Sequence, residues 1–276
     1  MRTAIETLLL SAALALGAAT PAGAQATPPP HDSFTVASRT LSETRRINVY
    51  TPPAYGARGD ERFPVLYLLD GGVAEDWPHV AATVDAAIRA GEMRPMLMVG
   101  IENTERRRDL TGPTEVEDDR KIAPRVGGSA AFRRFVADEL VPEIARRYRV
   151  TDERALMGES LAGLFVVETF FAEPELFGTY LAFSPSLWWN AEALVRGAPA
   201  RFATRPELRK ALYFSSADED NIAPAAARLA ETLRARAPAG LRWSYTPRPD
   251  LTHGTIYRAE LPGALRAWLG PAGDAR

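Results

Sequence analysis

Arg154-Ala155-Leu156-Met157-Gly158-Glu159-Ser160-Leu161-Ala162-Gly163 runs directly into Leu164-Phe165-Val166-Val167-Glu168-Thr169-Phe170-Phe171. This order of residues predicts a short apolar strand, a tight turn with a serine at its crest, and then a helix. Small residues on both sides of such a serine let strand and helix pass close together, which pushes the hydroxyl out at the carboxyl edge of a sheet. The helix is apolar on almost every face, as one buried against a sheet must be. The spacing is G-x-S-x-G except that Ala162 holds the second glycine position, with Gly163 one place later. One added methyl tightens the contact without forbidding it. A turn or helix-cap serine fits the same local pattern, so Ser160 as nucleophile has to be argued from the rest of the chain.

Outward from this turn the pattern is strand, loop, helix, repeated, which is how a mostly parallel sheet covered on both faces is written. Short β-compatible apolar runs fall at about 65–69, 96–101, 154–157, 179–183, 211–214 and 241–245, and helical patterns separate most of them. Ahead of them, residues 34–41 and 44–51 read as a hairpin, with Arg46, Ile47, Asn48 and Val49 alternating in polarity. The expectation is an α/β fold in a single domain, 34–276, with a sheet of about eight strands. Residues 103–128 break the rhythm with two polar stretches and end at Gly127-Gly128; a loop of that length in a compact domain is usually functional or mobile.

With 276 residues, 46% of them hydrophobic, the chain can bury a large core. Its 33 Lys and Arg against 35 Asp and Glu leave a formal charge of -2, so no global positive field exists to hold nucleic acid. Cysteine is absent, which removes disulfides, thiolate metal sites and a Cys nucleophile. No His pair or carboxylate–His spacing suggests a metal site. Residues 1–24 read as an export signal: Arg2, an apolar run from Leu8 to Leu16, then small residues to Ala22-Gly23-Ala24. That run is too short to span a bilayer, and no other stretch is a candidate span. Residues 25–33, with Pro28-Pro29-Pro30 and His31, read as a flexible leader to a periplasmic or secreted product.

A nucleophile of this kind is followed in the chain by an acid and then a histidine. Of the three histidines only His253 lies beyond Ser160, in a loop between the last apolar strand and a C-terminal helical pattern. The acid belongs after the penultimate strand, where Ala217-Asp218-Glu219-Asp220 offers three carboxylates. Asp220 ranks first by its distance from the small Ala217, and Asp218 second. Backbone N–H donors for an oxyanion are expected from Leu161 and from the glycine pair that ends Val65-Leu66-Tyr67-Leu68-Leu69-Asp70-Gly71-Gly72, with Gly72 favoured over Gly71. Trp77 and His79 are placed near the cleft rim.

Several stretches together resemble the Putative esterase family of the α/β-hydrolase superfamily, in particular its siderophore (enterobactin-type) esterase branch, which is related to feruloyl esterases and mycolyltransferases. They are Tyr67 to Gly71, Val99 to Thr104 with Arg106 to Thr111, Phe132 through Tyr148, Gly158-Glu159-Ser160, Ser184-Pro185-Ser186-Leu187-Trp188-Trp189-Asn190, and His253-Gly254. The resemblance implies a carboxylic-ester hydrolase without cofactor, working through an acyl-enzyme on a small-molecule ester. It also implies Gly72 and Leu161 as oxyanion donors, while some relatives with a Ser-His dyad leave the acid open. Trp188 and Trp189 offer an indole surface for aromatic or apolar acyl groups, with one of them expected in the core. Arg106 is a candidate contact for an anionic substrate, against a solvated charge run Arg106-Arg107-Arg108. Acyl transfer to a sugar or lipid, and siderophore binding without catalysis, are the rival readings.

Overall fold

In a computed structural model of the chain, residues 27–57 and 59–271 are described. The expected export signal therefore lies outside the described residues.

One sheet organises the molecule. The strands are β1 (Asp32–Ser38), β2 (Glu43–Tyr50), β3 (Phe63–Leu68), β4 (Leu97–Ile101), β5 (Val150–Glu159), β6 (Thr179–Phe183), β7 (Ala211–Ser216) and β8 (Arg242–Pro247). They lie in the order β1-β2-β4-β3-β5-β6-β7-β8. β1 and β2 form the expected antiparallel hairpin, β2 pairs antiparallel with β4, and all remaining pairs are parallel. β1 starts two residues earlier than its hydrophobic pattern suggests, because its edge is tied by a hydrogen bond from Ser33 Oγ to Asn48 Oδ1 at 2.6 Å. His31, just ahead of it, packs its ring on Trp77 with centroids 5.1 Å apart.

Connections between strands carry the helices α1 (Pro53–Ala57), α2 (Trp77–Arg89), α3 (Arg106–Asp109), α4 (Glu117–Arg120), α5 (Ser129–Phe135), α6 (Val141–Arg147), α7 (Leu161–Ala172), α8 (Trp189–Ala203), α9 (Ile222–Arg236) and α10 (His253–Leu269). A π-helical turn, Val136–Leu140, joins α5 to α6. Because successive strand residues face opposite ways, the sheet feeds two cores. Val65, Tyr67, Val99, Leu156, Tyr180 and Phe214 pack with Phe132 of α5, Phe165 of α7, Val195 of α8 and Leu229 of α9. Leu66, Leu68, Met98, Met157, Leu181 and Phe183 pack with Val80 and Val84 of α2 and Leu261 and Leu265 of α10. α7 is buried from Leu161 through Val167, which is why its sequence shows no polar face. No helix among the described residues is long and apolar enough to cross a membrane.

Residues 103–128 are pinned rather than loose. Arg45 of β2, fully buried, pairs with buried Asp109, and Arg108 bridges Asp109 Oδ1 at 2.7 Å to Glu43 Oε1 at 2.8 Å. Further along, Thr114 Oγ1 donates to Asp119 Oδ2 at 2.6 Å, and the same oxygen accepts the Asn190 backbone N–H at 2.8 Å.

The crossing of β5 and α7 depends on the missing side chain at Gly158. A methyl there would stand 2.6 Å from Ala162 Cβ and 2.9 Å from its carbonyl carbon. Gly158→Ala is expected to cost about 1–3 kcal/mol, read as a lower midpoint in thermal unfolding, with partial recovery in Gly158→Ala/Ala162→Gly; an unchanged midpoint would contradict this packing.

Candidate active site

Ser160 links β5 to α7 with φ 60° and ψ -119°, a left-handed conformation that a non-glycine residue holds only under about 1–3 kcal/mol of strain. Its N–H donates to Phe183 O at 3.0 Å, and its own carbonyl accepts the N–H of Ser186 at 3.0 Å and of Leu164 at 2.9 Å. The crest of the turn is thus tied to the end of β6, and Ser160 Oγ lies 3.5 Å from Ser186 Oγ.

Three loops at the same edge of the sheet converge on this serine. His253 opens α10 behind a capping box formed by Thr252 and Thr255. Its Nδ1 meets Oε1 of Glu219, from the turn after β7, and its Nε2 lies 4.0 Å from Oε1 of Glu159, the neighbour of Ser160. The other Glu219 oxygen accepts the Ser184 hydroxyl and the Ala217 N–H, the latter at 3.1 Å. A backbone bond from Asp218 N to Leu251 O at 3.0 Å joins the two loops.

The carboxylate on His253 is therefore Glu219, and the expectation of Asp220 is corrected. The turn after buried Ala217 alternates, so that Asp218 and Asp220 are exposed while Glu219 turns inward. A ranking by chain offset alone does not register that alternation. Burial pushes the Glu219 carboxyl up, but the bonds from His253 and Ser184 outweigh it and hold it below its ordinary value. In turn, the Glu219 carboxylate on Nδ1 raises the His253 imidazole, against burial and with help from Glu159.

The amides of the glycine pair expected to donate are both occupied. Gly71 N–H bonds Ile101 O at 2.9 Å, and Gly72 N–H bonds Glu75 Oε2 at 2.7 Å. A Cβ on Gly71 would come within 2.3 Å of Gly100 Cα, so this residue answers to strand packing. Leu161 is the first residue of α7, and its N–H lacks an intrahelical acceptor by position.

Other expected contacts are redistributed. Arg106 grips Asp70 with two bonds of 2.7 Å, so its guanidinium is committed to a carboxylate that Asn103 Nδ2 also reaches at 2.6 Å. Arg107 donates to Ile122 O, and Arg108 serves the Glu43–Asp109 network. Trp189 is a buried wall residue whose Nε1 donates to Gly112 O at 2.9 Å, whereas Trp188 is half-buried beside it. Trp77 is fully buried, and His79 is packed between Asp76 at 3.2 Å and the Tyr257 ring, so neither forms a rim. Glu159, Ser184, Ser186 and Glu75 carried no expected role, although Glu159 is a charged residue ending an apolar strand and Ser184 and Ser186 lie in the run Ser184 to Asn190. Among the described residues, no group of three or more His, Asp or Glu side chains is gathered as a metal centre.

Known proteins resemble this chain in sequence and in fold. Residues 38–238, well over half of the chain, match the model of the family described as Putative esterase. Ferri-bacillibactin esterase BesA of Bacillus subtilis is 35% identical over 155 residues, 49% of this chain and 51% of its own. Siderophore triacetylfusarinine C esterase of Aspergillus fumigatus is 28% identical over 153 residues, 51% of this chain and 50% of its own. The chain thus spans about half the length of these curated relatives. An IroE-like serine hydrolase from Shewanella oneidensis superposes with a TM-score of 0.78 at 25% identity, covering 87% of this chain and 80% of that one.

Because a carboxylate on Nδ1 favours the charged imidazole, Glu219→Gln is expected to lower the pH at which His253 titrates by NMR, while Asp220→Asn leaves it in place. A larger shift in the Asp220 variant would reverse the pairing. With its elbow, its eight-stranded sheet and a family match along most of its length, the chain belongs to the Putative esterase family and has the α/β-hydrolase fold.

Proposed function

We propose that the protein is a serine esterase acting through an acyl-enzyme, with Ser160 as nucleophile, His253 as base and Glu219 as the acid that orients it. The observation that carries this reading is His253 held on Nδ1 by Glu219 while its Nε2 faces the Glu159-Ser160 turn. In that tautomer Nε2 takes the Ser160 proton as Oγ attacks the ester carbon, and returns it to the departing alcohol. Water then repeats the sequence and frees the acid. Leu161 N–H is the first oxyanion donor; Gly72 N–H joins it once the developing oxyanion replaces Glu75 Oε2.

The relatives' names favour ester-linked siderophores as substrates, and half-buried Trp188 suits an aromatic or apolar acyl group. Arg106 is a structural partner of Asp70 in this reading rather than a substrate contact. Export to the periplasm or medium rests on the apolar and small residues of 1–24.

Ser160→Ala is expected to reduce hydrolysis of a small aryl ester by at least about a thousandfold, Glu219→Gln to reduce it strongly, and Asp220→Asn to leave it near the parent rate. Undiminished turnover by Ser160→Ala would sink the assignment. Release of carboxylic acid from bacillibactin or triacetylfusarinine C, followed by chromatography, tests the substrate class; transfer of the acyl group to an added alcohol in place of hydrolysis would favour acyl transfer.

A further inference from the structure

The variable position of the elbow, between Gly158 and Ser160, is filled by a carboxylate. Glu159 ends β5, its side chain is only 18% exposed, and its Oε1 stands 4.0 Å from Nε2 of His253. That nitrogen is the one the reaction needs free.

The charges around Glu159 come from three elements. From α10 there is His253, already shared with Glu219 on its other nitrogen. From α3 there is Arg106, whose Nη2 approaches the Glu159 carbonyl oxygen at 3.5 Å, but whose fork is spent on Asp70. From the turn between β3 and α2 come the carboxyl groups of Asp70, gripped by Arg106, and of Asp76, beside His79 at 3.2 Å. Among the described residues around Glu159, protonated His253 is the cation whose facing nitrogen is not already committed to another carboxylate. Burial, partly offset by His253 and reinforced by Asp76, pushes the Glu159 carboxyl up to about 7.

We propose that Glu159 is a positioning residue that competes with Ser160 for Nε2 of His253, and thereby sets the pH at which the enzyme switches on. The inference rests on the reading of Ser160 and His253 as nucleophile and base. When Glu159 is ionised and His253 is protonated, the Nε2–H is drawn toward the carboxylate. Hydrolysis starts only after that proton leaves to solvent and the Nε2 lone pair can accept the proton of Ser160 Oγ. Where Glu159 is ionised, above about pH 7, its negative charge at this distance favours imidazolium, so the acid limb of kcat/KM is expected above the ordinary histidine value of about 6.5. Glu219 contributes to the same displacement through Nδ1, so the contribution of Glu159 is isolated by altering it alone.

The test is the pH profile of kcat/KM for an uncharged aryl ester with the parent protein and Glu159→Gln, whatever the height of each plateau. The acid limb of the variant is expected to move down by about half a pH unit or more, and the displacement to shrink in high salt. NMR titration of His253 in Ser160→Ala and in Ser160→Ala/Glu159→Gln gives the same comparison without turnover, and decides the matter if the single variant is too slow to assay. A merely structural Glu159 would change rate or stability and leave both midpoints where they are, which would overturn the proposal. Activity surviving in Ser160→Ala would instead overturn the nucleophile assignment on which it rests.

Discussion

The close passage of β5 under α7 is the contact on which the rest of the site depends. Gly158 and Gly163 leave no side chain between strand, helix and the end of β6: a Cβ on Gly163 would lie 3.0 Å from both Phe183 O and Pro185 Cα. That proximity holds Ser160 at positive φ and repays its strain with three backbone bonds to Phe183, Ser186 and Leu164. Ala162 in place of glycine is accommodated because its methyl faces the bare Cα of Gly158. The departure from the common motif is thus absorbed by the glycine on the opposite side.

Around that crest, carboxylates are kept in different states by different partners. Glu219 is held low by His253 and Ser184, whereas Glu159 is held high by burial without a committed cation. Two acids near one imidazole with their affinities for protons pushed apart is a common way for a fold to assign distinct tasks to like groups. Asp70, also at positive φ, is neutralised by the Arg106 fork and fixes Asn103 beside Glu75. The cluster behind the glycine pair is therefore a connected polar network, in which moving one member exposes the charge of the next.

The strands were legible because each run is short and largely apolar, and most are separated by helical or turn patterns. The two-core arrangement follows from the period of two in those same runs. Residues 103–128 were not legible in this way: the segment looks like a solvated charged loop, yet Asp109 and Asp119 are buried and hold it to β2 and to Asn190. Charge in a sequence signals exposure on average, and a buried ion pair between Arg45 and a residue 64 positions away defeats that average. One of Trp188 and Trp189 was expected in the core, and the bond to Gly112 O makes it Trp189.

By itself the sequence determined the architecture, the identity of the serine and the histidine brought to one sheet edge, and the order in which strand ends deliver them, because these depend on local pattern and chain order. Only the tertiary structure decided which acid meets His253, that Gly72 N–H is occupied by Glu75, and that Glu159 Oε1 stands 4.0 Å from Nε2 of His253. Each of these turns on the direction of a single side chain in a turn. No periodicity encodes that direction, and the groups that orient Glu219, Ser184 after β6 and His253 at the start of α10, lie far from it in the chain.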